Sequence, residues 1–224
     1  MASELSANPH PVTYFVTPQM QGRNRLTCFF RAVLAVPHLV LAGLPALTLG
    51  FGGGSLFWFS DGGGPWFGVA SPGVIGAVAF VMAIIAWVAI VFTRKHPKGL
   101  WDFANFYLRW RSKSMAYAAL LRDEYPPFGD GEYAVDFGAG EFPETRNRWS
   151  VGLRLIYLIP HVVVLFFAGI AWAITAIIAW FAILFTGSYP ESLYRFAVGY
   201  LRWSLRVESY ALLMHDEYPP FSLD

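Results

Sequence analysis

The sequence predicts an all-α integral membrane protein, with four transmembrane helices arranged as two tandem two-span units. Each unit is followed by an interfacial amphipathic helix, and each is expected to open with a short N-terminal strand. Three observations predict this. The chain is 56% hydrophobic and only 14% charged, against roughly 25% charged in an average soluble domain. A set of landmarks recurs in order along the chain. The basic residues lie before, between or after the span pairs or at their cytoplasmic openings, and none lies in the turn between paired spans.

The repeat defines the units. Asn24-Arg25, Arg31 and Pro37-His38 recur as Asn147-Arg148, Arg154 and Pro160-His161, at an offset of 123 residues. Further along, Ala86-Trp87, Phe92-Thr93 and Tyr107-Leu108-Arg109-Trp110 recur as Ala179-Trp180, Phe185-Thr186 and Tyr200-Leu201-Arg202-Trp203, now at an offset of 93. The series ends in Asp-Glu-Tyr-Pro-Pro-Phe, present at 123–128 and again at 216–221. The first unit therefore covers 10–128 and the second 129–221. The change of offset gives the first unit 30 extra residues between Pro37-His38 and Ala86-Trp87, centred on the Gly- and aromatic-rich stretch 50–73.

Val12-Thr13-Tyr14 and Val135-Asp136-Phe137 align at the first offset and are rich in strand formers, so each reads as a short strand. In the first unit the spans are Leu26 to Leu49 and Val74 to Phe92, each close to the ~20 apolar residues that cross a bilayer. In the second, Val151 to Phe185 is one apolar run of 35 residues. A tight hairpin near Ala168-Gly169 would divide it into two crossings. The polar start, Met1 to Gln21, lacks the pattern of a signal peptide, so the first span is expected to direct its own insertion. The positive-inside rule then places both termini and the central segment in the cytoplasm, and the 50–73 insertion outside.

After each span pair comes an amphipathic stretch, roughly Pro97 to Leu121 and Pro190 to Met214. In the second, Arg195, Arg202, Arg206 and Ser209 form one stripe opposite Tyr200, Trp203 and Val207. This pattern suits a helix at the membrane interface with arginines on phosphates. It suits equally a helix packed on the spans. Two prolines then end each helix. Tyr125, Phe128, Tyr218 and Phe221 of the repeated hexapeptides form a candidate docking segment, or simply pack back on the bundle.

Arg31 and His38 share a helix face, as do Arg154 and His161, because seven residues make two turns. Ionisable groups inside a span suggest function. With Arg109, Trp110, Arg202 and Trp203 they are the candidates for binding lipid headgroups or a protein partner. The plainer reading is that each histidine bonds a backbone carbonyl freed by the preceding proline. Proton or metal chemistry ranks last. A lone cysteine, Cys28, and scattered histidines supply no metal-ligand spacing, and no catalytic motif is present, so neither cofactor nor enzymatic chemistry is expected. A net charge of +1 gives no pull toward nucleic acid.

Pro-His-Val-Val-Val-Leu at 160–165, Ala-Trp-Phe-Ala-Ile-Leu-Phe-Thr-Gly at 179–187, Tyr189-Pro190, Leu201-Arg202-Trp203 and Tyr218-Pro219-Pro220-Phe221 resemble the bacterial domain-of-unknown-function family numbered 4389. Lys95-His96 stands in place of the second copy's Gly-Ser, so the turn into the amphipathic helix is expected to differ between units. The resemblance implies a small bacterial inner-membrane protein with tandem units and carries no activity to any residue. The expectation is an accessory or scaffold protein that binds membrane lipids, a larger membrane complex or its own copies. The alternative is a small transporter or channel, its path lined by His38 and His161 along the pseudo-twofold axis.

Overall fold

Asn24 and Asn147 start the helical part of each unit. Asn24 Oδ1 accepts from Leu26 N and Thr27 N at 3.0 and 3.2 Å, and Asn147 Oδ1 from Trp149 N at 3.0 Å. An Asn side chain satisfies backbone donors that a first turn otherwise leaves open. The computed structural model describes residues 10–43 and 73–224. Its elements are β1 (Thr13–Val16), α1 (Arg25–Phe29), α2 (Arg31–Ala42), α3 (Gly73–Thr93), α4 (Lys98–Ala118), β2 (Val135–Gly138), α5 (Arg148–Gly152), α6 (Arg154–Thr186) and α7 (Glu191–Ala211).

The two expected strands form, and they pair with each other. β1 and β2 are antiparallel with Tyr14 opposite Phe137. These two residues are repeat equivalents, so a pseudo-twofold axis passes between them. The same symmetry recurs in the helices. Trp180 Nε1 donates to Cys28 O and Trp87 Nε1 to Val151 O, each at 3.0 Å. Arg23 N donates to Gly187 O and Arg146 N to Arg94 O, again each at 3.0 Å.

The hairpin expected near Ala168-Gly169 is not there. Residues 154–186 run as one 33-residue helix, and the expected pair of second-unit spans is a single element. Gly169 is buried within that helix, where a residue without Cβ permits close packing. Hydropathy reports length and apolarity but does not distinguish one long helix from two short ones.

The first unit contains the same long helix, interrupted. α2 supplies 12 residues and α3 21, together the 33 of α6. Gly73 abuts the end of α2 so closely that a Cβ would collide with Leu41 O and Gly43 N. The end contacts at Cys28, Val151, Gly187 and Arg94 match in the two units, so α2 and α3 together span the distance that α6 does. The 30 extra residues thus interrupt a helix rather than join two separate spans. Most of the 50–73 insertion lies outside the described residues.

α4 packs on α2, α3, β2 and α7, while α7 packs on α6, β1 and α4. The amphipathic helices expected at the interface are therefore interior ones. Residues 110–117 of α4 and 203–210 of α7 are buried all round. Arg206 and Ser209, expected toward phosphates, are buried. Arg206 donates to Asp224 O at 2.6 Å and Ser209 to Leu205 O at 2.5 Å. A polar stripe covered by backbone carbonyls has the same periodicity as one facing water.

The prolines do not end these helices. α4 and α7 stop at Ala118 and Ala211, and Leu120 and Leu213 then adopt left-handed backbone, with φ 63° and 64°. Leu121 N reaches Ala116 O and Met214 N reaches Ser209 O, each at 2.9 Å, which closes the last turn. The turn from long helix to α4 or α7 is also the same in both units. At the 93-residue offset Arg94-Lys95, not Lys95-His96, stands opposite Gly187-Ser188, and Arg94, with φ 59°, takes the place of Gly187, with φ 71°. Thr93 Oγ1 and Thr186 Oγ1 accept from the backbone two residues on.

Candidate functional site

Each unit builds one cage from its repeated residues. In the first, His38 projects from α2 one residue after Pro37 and is fully buried. The indole of Trp110, on α4, donates to His38 Nδ1 at 3.1 Å, and Ser114 Oγ lies 3.3 Å from the same nitrogen. Phe128 stacks on the imidazole at 4.4 Å between centroids, and Tyr125 leans on it at 4.9 Å. The second cage repeats the ring contacts, with Val207 at the position equivalent to Ser114: Trp203 donates to His161 Nδ1 at 3.3 Å, Phe221 stacks at 4.0 Å and Tyr218 leans at 4.8 Å. An Nδ1 that accepts fixes each imidazole as the Nε2–H tautomer.

The hexapeptide's aspartate holds this cover in place. Asp123 bridges Arg23 at 3.0 Å and Arg31 at 2.8 Å, and Asp216 bridges Arg146 and Arg154, both at 2.9 Å. Arg31 lies over Tyr117 and Arg154 over Tyr210, each 4.0 Å from the ring centroid. Arg23 Nη1 also reaches Leu121 O at 3.0 Å, and Arg146 Nη1 reaches Leu213 O at 2.9 Å. These carbonyls belong to the turns that end α4 and α7, so each arginine ties a helix end to its tail.

Of the sequence candidates, Arg31, His38, Trp110, Arg154, His161 and Trp203 come together in the two cages. There they are buried and each makes at least one internal hydrogen bond, while Arg31 Nε, His38 Nε2, Arg154 Nε and His161 Nε2 are buried outside hydrogen-bond geometry. Arg109 and Arg202 lie outside. Arg109 pairs with Asp130 at 2.9 Å, and Arg202 reaches Tyr14 O at 3.3 Å. Tyr125, Phe128, Tyr218 and Phe221 close the cages with one side and remain exposed on the other. The carbonyl freed by proline is not the histidine's partner at Nδ1, which is the tryptophan.

Sequence reasoning missed Arg23 and Arg146, although both lie in register at the 123-residue offset. It also missed the groups that break the symmetry. Arg111, 1% exposed, pairs with Glu208 through Nε–Oε2 at 2.7 Å and Nη2–Oε1 at 2.8 Å. Its Nη1 donates to Ala42 O, in the last turn of α2 where the insertion begins. The Tyr107 hydroxyl bonds the same guanidinium. The equivalents of Arg111 and Glu208 in the other unit are Ser204 and Met115. α6 continues through the point corresponding to Ala42, so its carbonyls bond within the helix. The buried cation serves a carbonyl that only the interrupted helix leaves open.

Histidines break the symmetry too. His10, His96 and His215 stand where the other half has Tyr133, Tyr189 and Arg122, and all three are buried. His10 and His215 meet edge to face at 4.9 Å. Burial, then His10, Arg154 and Arg146, push His215 down to about 3. Burial, then Arg146 and Arg154, push His96 down to about 4. Burial, then Arg206, lowers His10. His96 and His215 are therefore neutral at pH 7. Among the described residues no three His, Cys, Asp or Glu side chains are grouped to hold a metal ion.

An open groove of about 380 Å³ lies between α4 and β2, lined by Arg109, Lys113, Asp130, Glu132, Tyr133 and Asp136. Its cations are committed to Asp130, and the groove holds no constellation that could move a proton or attack a bond.

The family model DUF4389, described as a domain of unknown function, matches residues 67–129 and again 148–222. No curated protein and no solved structure matches the chain.

Proposed function

The chain belongs to the DUF4389 family, and from the surfaces of its two units we propose that it is a non-catalytic accessory or scaffold protein of the bacterial inner membrane. It acts by contact with lipid or with a membrane-protein partner. One observation carries this reading: the long helices are apolar and show most of their surface. α3 and α6 have mean hydropathies of 2.9 and 2.6 over their best windows. Phe92, Phe185, Phe167, Ile156 and Ile177 are all more than half exposed. Water would tolerate such a continuous apolar flank poorly, so lipid or an apolar partner is its natural cover.

The transport reading draws no support from the histidines. His38 and His161 are enclosed in separate cages, and the seam between α4 and α7 is packed around the Arg111–Glu208 pair. Gentle solubilisation followed by native mass spectrometry tests the proposal. Bound phospholipid or a membrane-protein partner is the expected result. A protein that runs alone, free of both, would refute it.

A further inference from the structure

The membrane reading leaves open how the protein lies in the bilayer, and the symmetry of the fold bears on this. The C-terminal end of α6 is fastened beside α1, at the start of the first unit's long helix. The C-terminal end of α3 is fastened beside α5, at the start of α6. The two long helices therefore run in opposite directions, across the pseudo-twofold axis rather than along it. That axis passes through the β-sheet between Tyr14 and Phe137.

Two orientations can be compared. If the long helices crossed the membrane, the axis would lie in the bilayer midplane. Asp136, one residue from the axis and exposed, would then sit at the hydrocarbon centre, with exposed Asp130 and Glu132 nearby in the chain. Ionised groups at that depth are strongly disfavoured. The helices are also too long. α6, with 33 residues, extends for about 50 Å, against about 30 Å of hydrocarbon.

If instead the axis lies along the membrane normal, the helices lie flat and the sheet with its carboxylates faces water. The exposed charges fit this second arrangement. The exposed cations are Arg25, Arg94, Lys95, Lys98, Arg148 and Arg195. All of them cluster at the two ends of the long helices, around the rim of the apolar flank. Arg25 lies 3.5 Å from a Cβ placed on Gly187, at the end of α6. Exposed Asp102 and Glu191 pair with Lys98 and Arg195 at the same rim, and Glu144 adjoins Thr145, which bridges Lys95; exposed Glu124, Asp130, Glu132, Asp136, Glu141 and Glu217 belong to the tails, the sheet and its flanking loops. Apolar surface whose rim carries more cations than acids, with Arg25, Arg94, Lys95 and Arg148 outside any ion pair among the described residues, complements one leaflet of an anionic phospholipid membrane.

We propose that the protein is embedded in a single leaflet, with α6 and the α2–α3 stack parallel to the membrane plane and the β-sheet facing the aqueous phase. This rests on the membrane reading above and concerns orientation alone. Nitroxide labels test it. In a Cys28→Ala background, single cysteines replace Ile156, Val163, Ile170 and Ile177, which lie seven apart along exposed positions of α6, and Asp136 on the sheet. Immersion depth is read from collision with oxygen and with a water-soluble paramagnet, in vesicles of mixed zwitterionic and anionic phospholipid.

The expected result is that the four helix labels lie at one depth, within about 5 Å, while the Asp136→Cys label is aqueous. A crossing helix would instead spread the four depths over about 30 Å, since each residue rises 1.5 Å, and would place the sheet label deep. That outcome overturns the in-plane proposal and leaves the membrane reading standing. Five aqueous labels in the presence of vesicles overturn both.

Discussion

Replacing Arg111 and Glu208 with the residues found in the other half of the molecule tests whether the buried ion pair compensates for the interrupted helix. Arg111→Ser alone strands the Glu208 carboxylate, 7% exposed, and removes a donor from Ala42 O. Breaking a buried pair from one side costs roughly 3–5 kcal/mol, and an unsatisfied buried carbonyl about 1–3 kcal/mol. Glu208→Met alone strands the guanidinium but leaves it on Ala42 O and Tyr107, so its cost falls near the lower end of that first range, about 3 kcal/mol. The double variant strands no charge. It recreates the Ser204–Met115 arrangement and retains only the carbonyl's loss, about 1–3 kcal/mol. The interaction energy in a double-mutant cycle is therefore at least about 2 kcal/mol, far above the ~0.5 kcal/mol scatter of independent sites. Denaturant or thermal unfolding in detergent micelles, followed by circular dichroism, supplies the four stabilities. If the two single costs add in the double variant, within that scatter, Arg111 and Glu208 are not a unit and the argument is wrong. If Arg111→Ser is no worse than Glu208→Met, the role at the interrupted helix end fails on its own.

Trp203→Phe should destabilise more than Trp110→Phe, by about 1 kcal/mol, in the same unfolding assay. Ser114 lies beside His38 Nδ1, whereas its repeat equivalent in the second unit is Val207, which carries no hydroxyl; equal losses would show that the indole bonds contribute nothing specific. Asp123→Asn should cost about 3 kcal/mol by leaving Arg23 and Arg31 without their shared counterion. Asp216→Asn should cost less, because Asp216 is 33% exposed against 11% for Asp123 and solvent screens its pairs; the reverse order would contradict the burial argument. Acid should destabilise the fold through His96 and His215. Their folded pKa values, about 4 and about 3, lie below the unfolded value of about 6.5, so the unfolded chain takes up protons first. The stabilisation is complete above pH 6.5 and declines as pH falls toward those folded values, at about 1.4 kcal/mol per pH unit for each histidine. A His96→Tyr variant, matching Tyr189, should show a slope shallower by one histidine's share; an unchanged slope would mean that His96 does not carry it.

The duplication was legible in the sequence, and with it a short strand in each unit, the polar helix after each apolar stretch and the family. Each of these is a local pattern, written in period, propensity and spacing. The apolar run 151–185 was legible as membrane-compatible, because hydrophobicity is a property of the residues themselves. Its form as one helix was not, because a turn and a continued helix can share the same hydropathy. The amphipathic pattern of α4 and α7 likewise leaves undecided what covers their polar side. Only the assembled structure shows carbonyls and carboxylates there instead of water. Arg31, His38, Arg154 and His161 could be identified from the repeat, yet their surroundings come from segments about 40–90 residues away in the chain: the tryptophans of α4 and α7 and the tails. No local signal encodes such contacts. The tertiary structure alone sets the two long helices antiparallel across the axis. That direction follows from the contacts that fasten each helix end to the opposite unit, through Trp87, Trp180, Arg23 and Arg146.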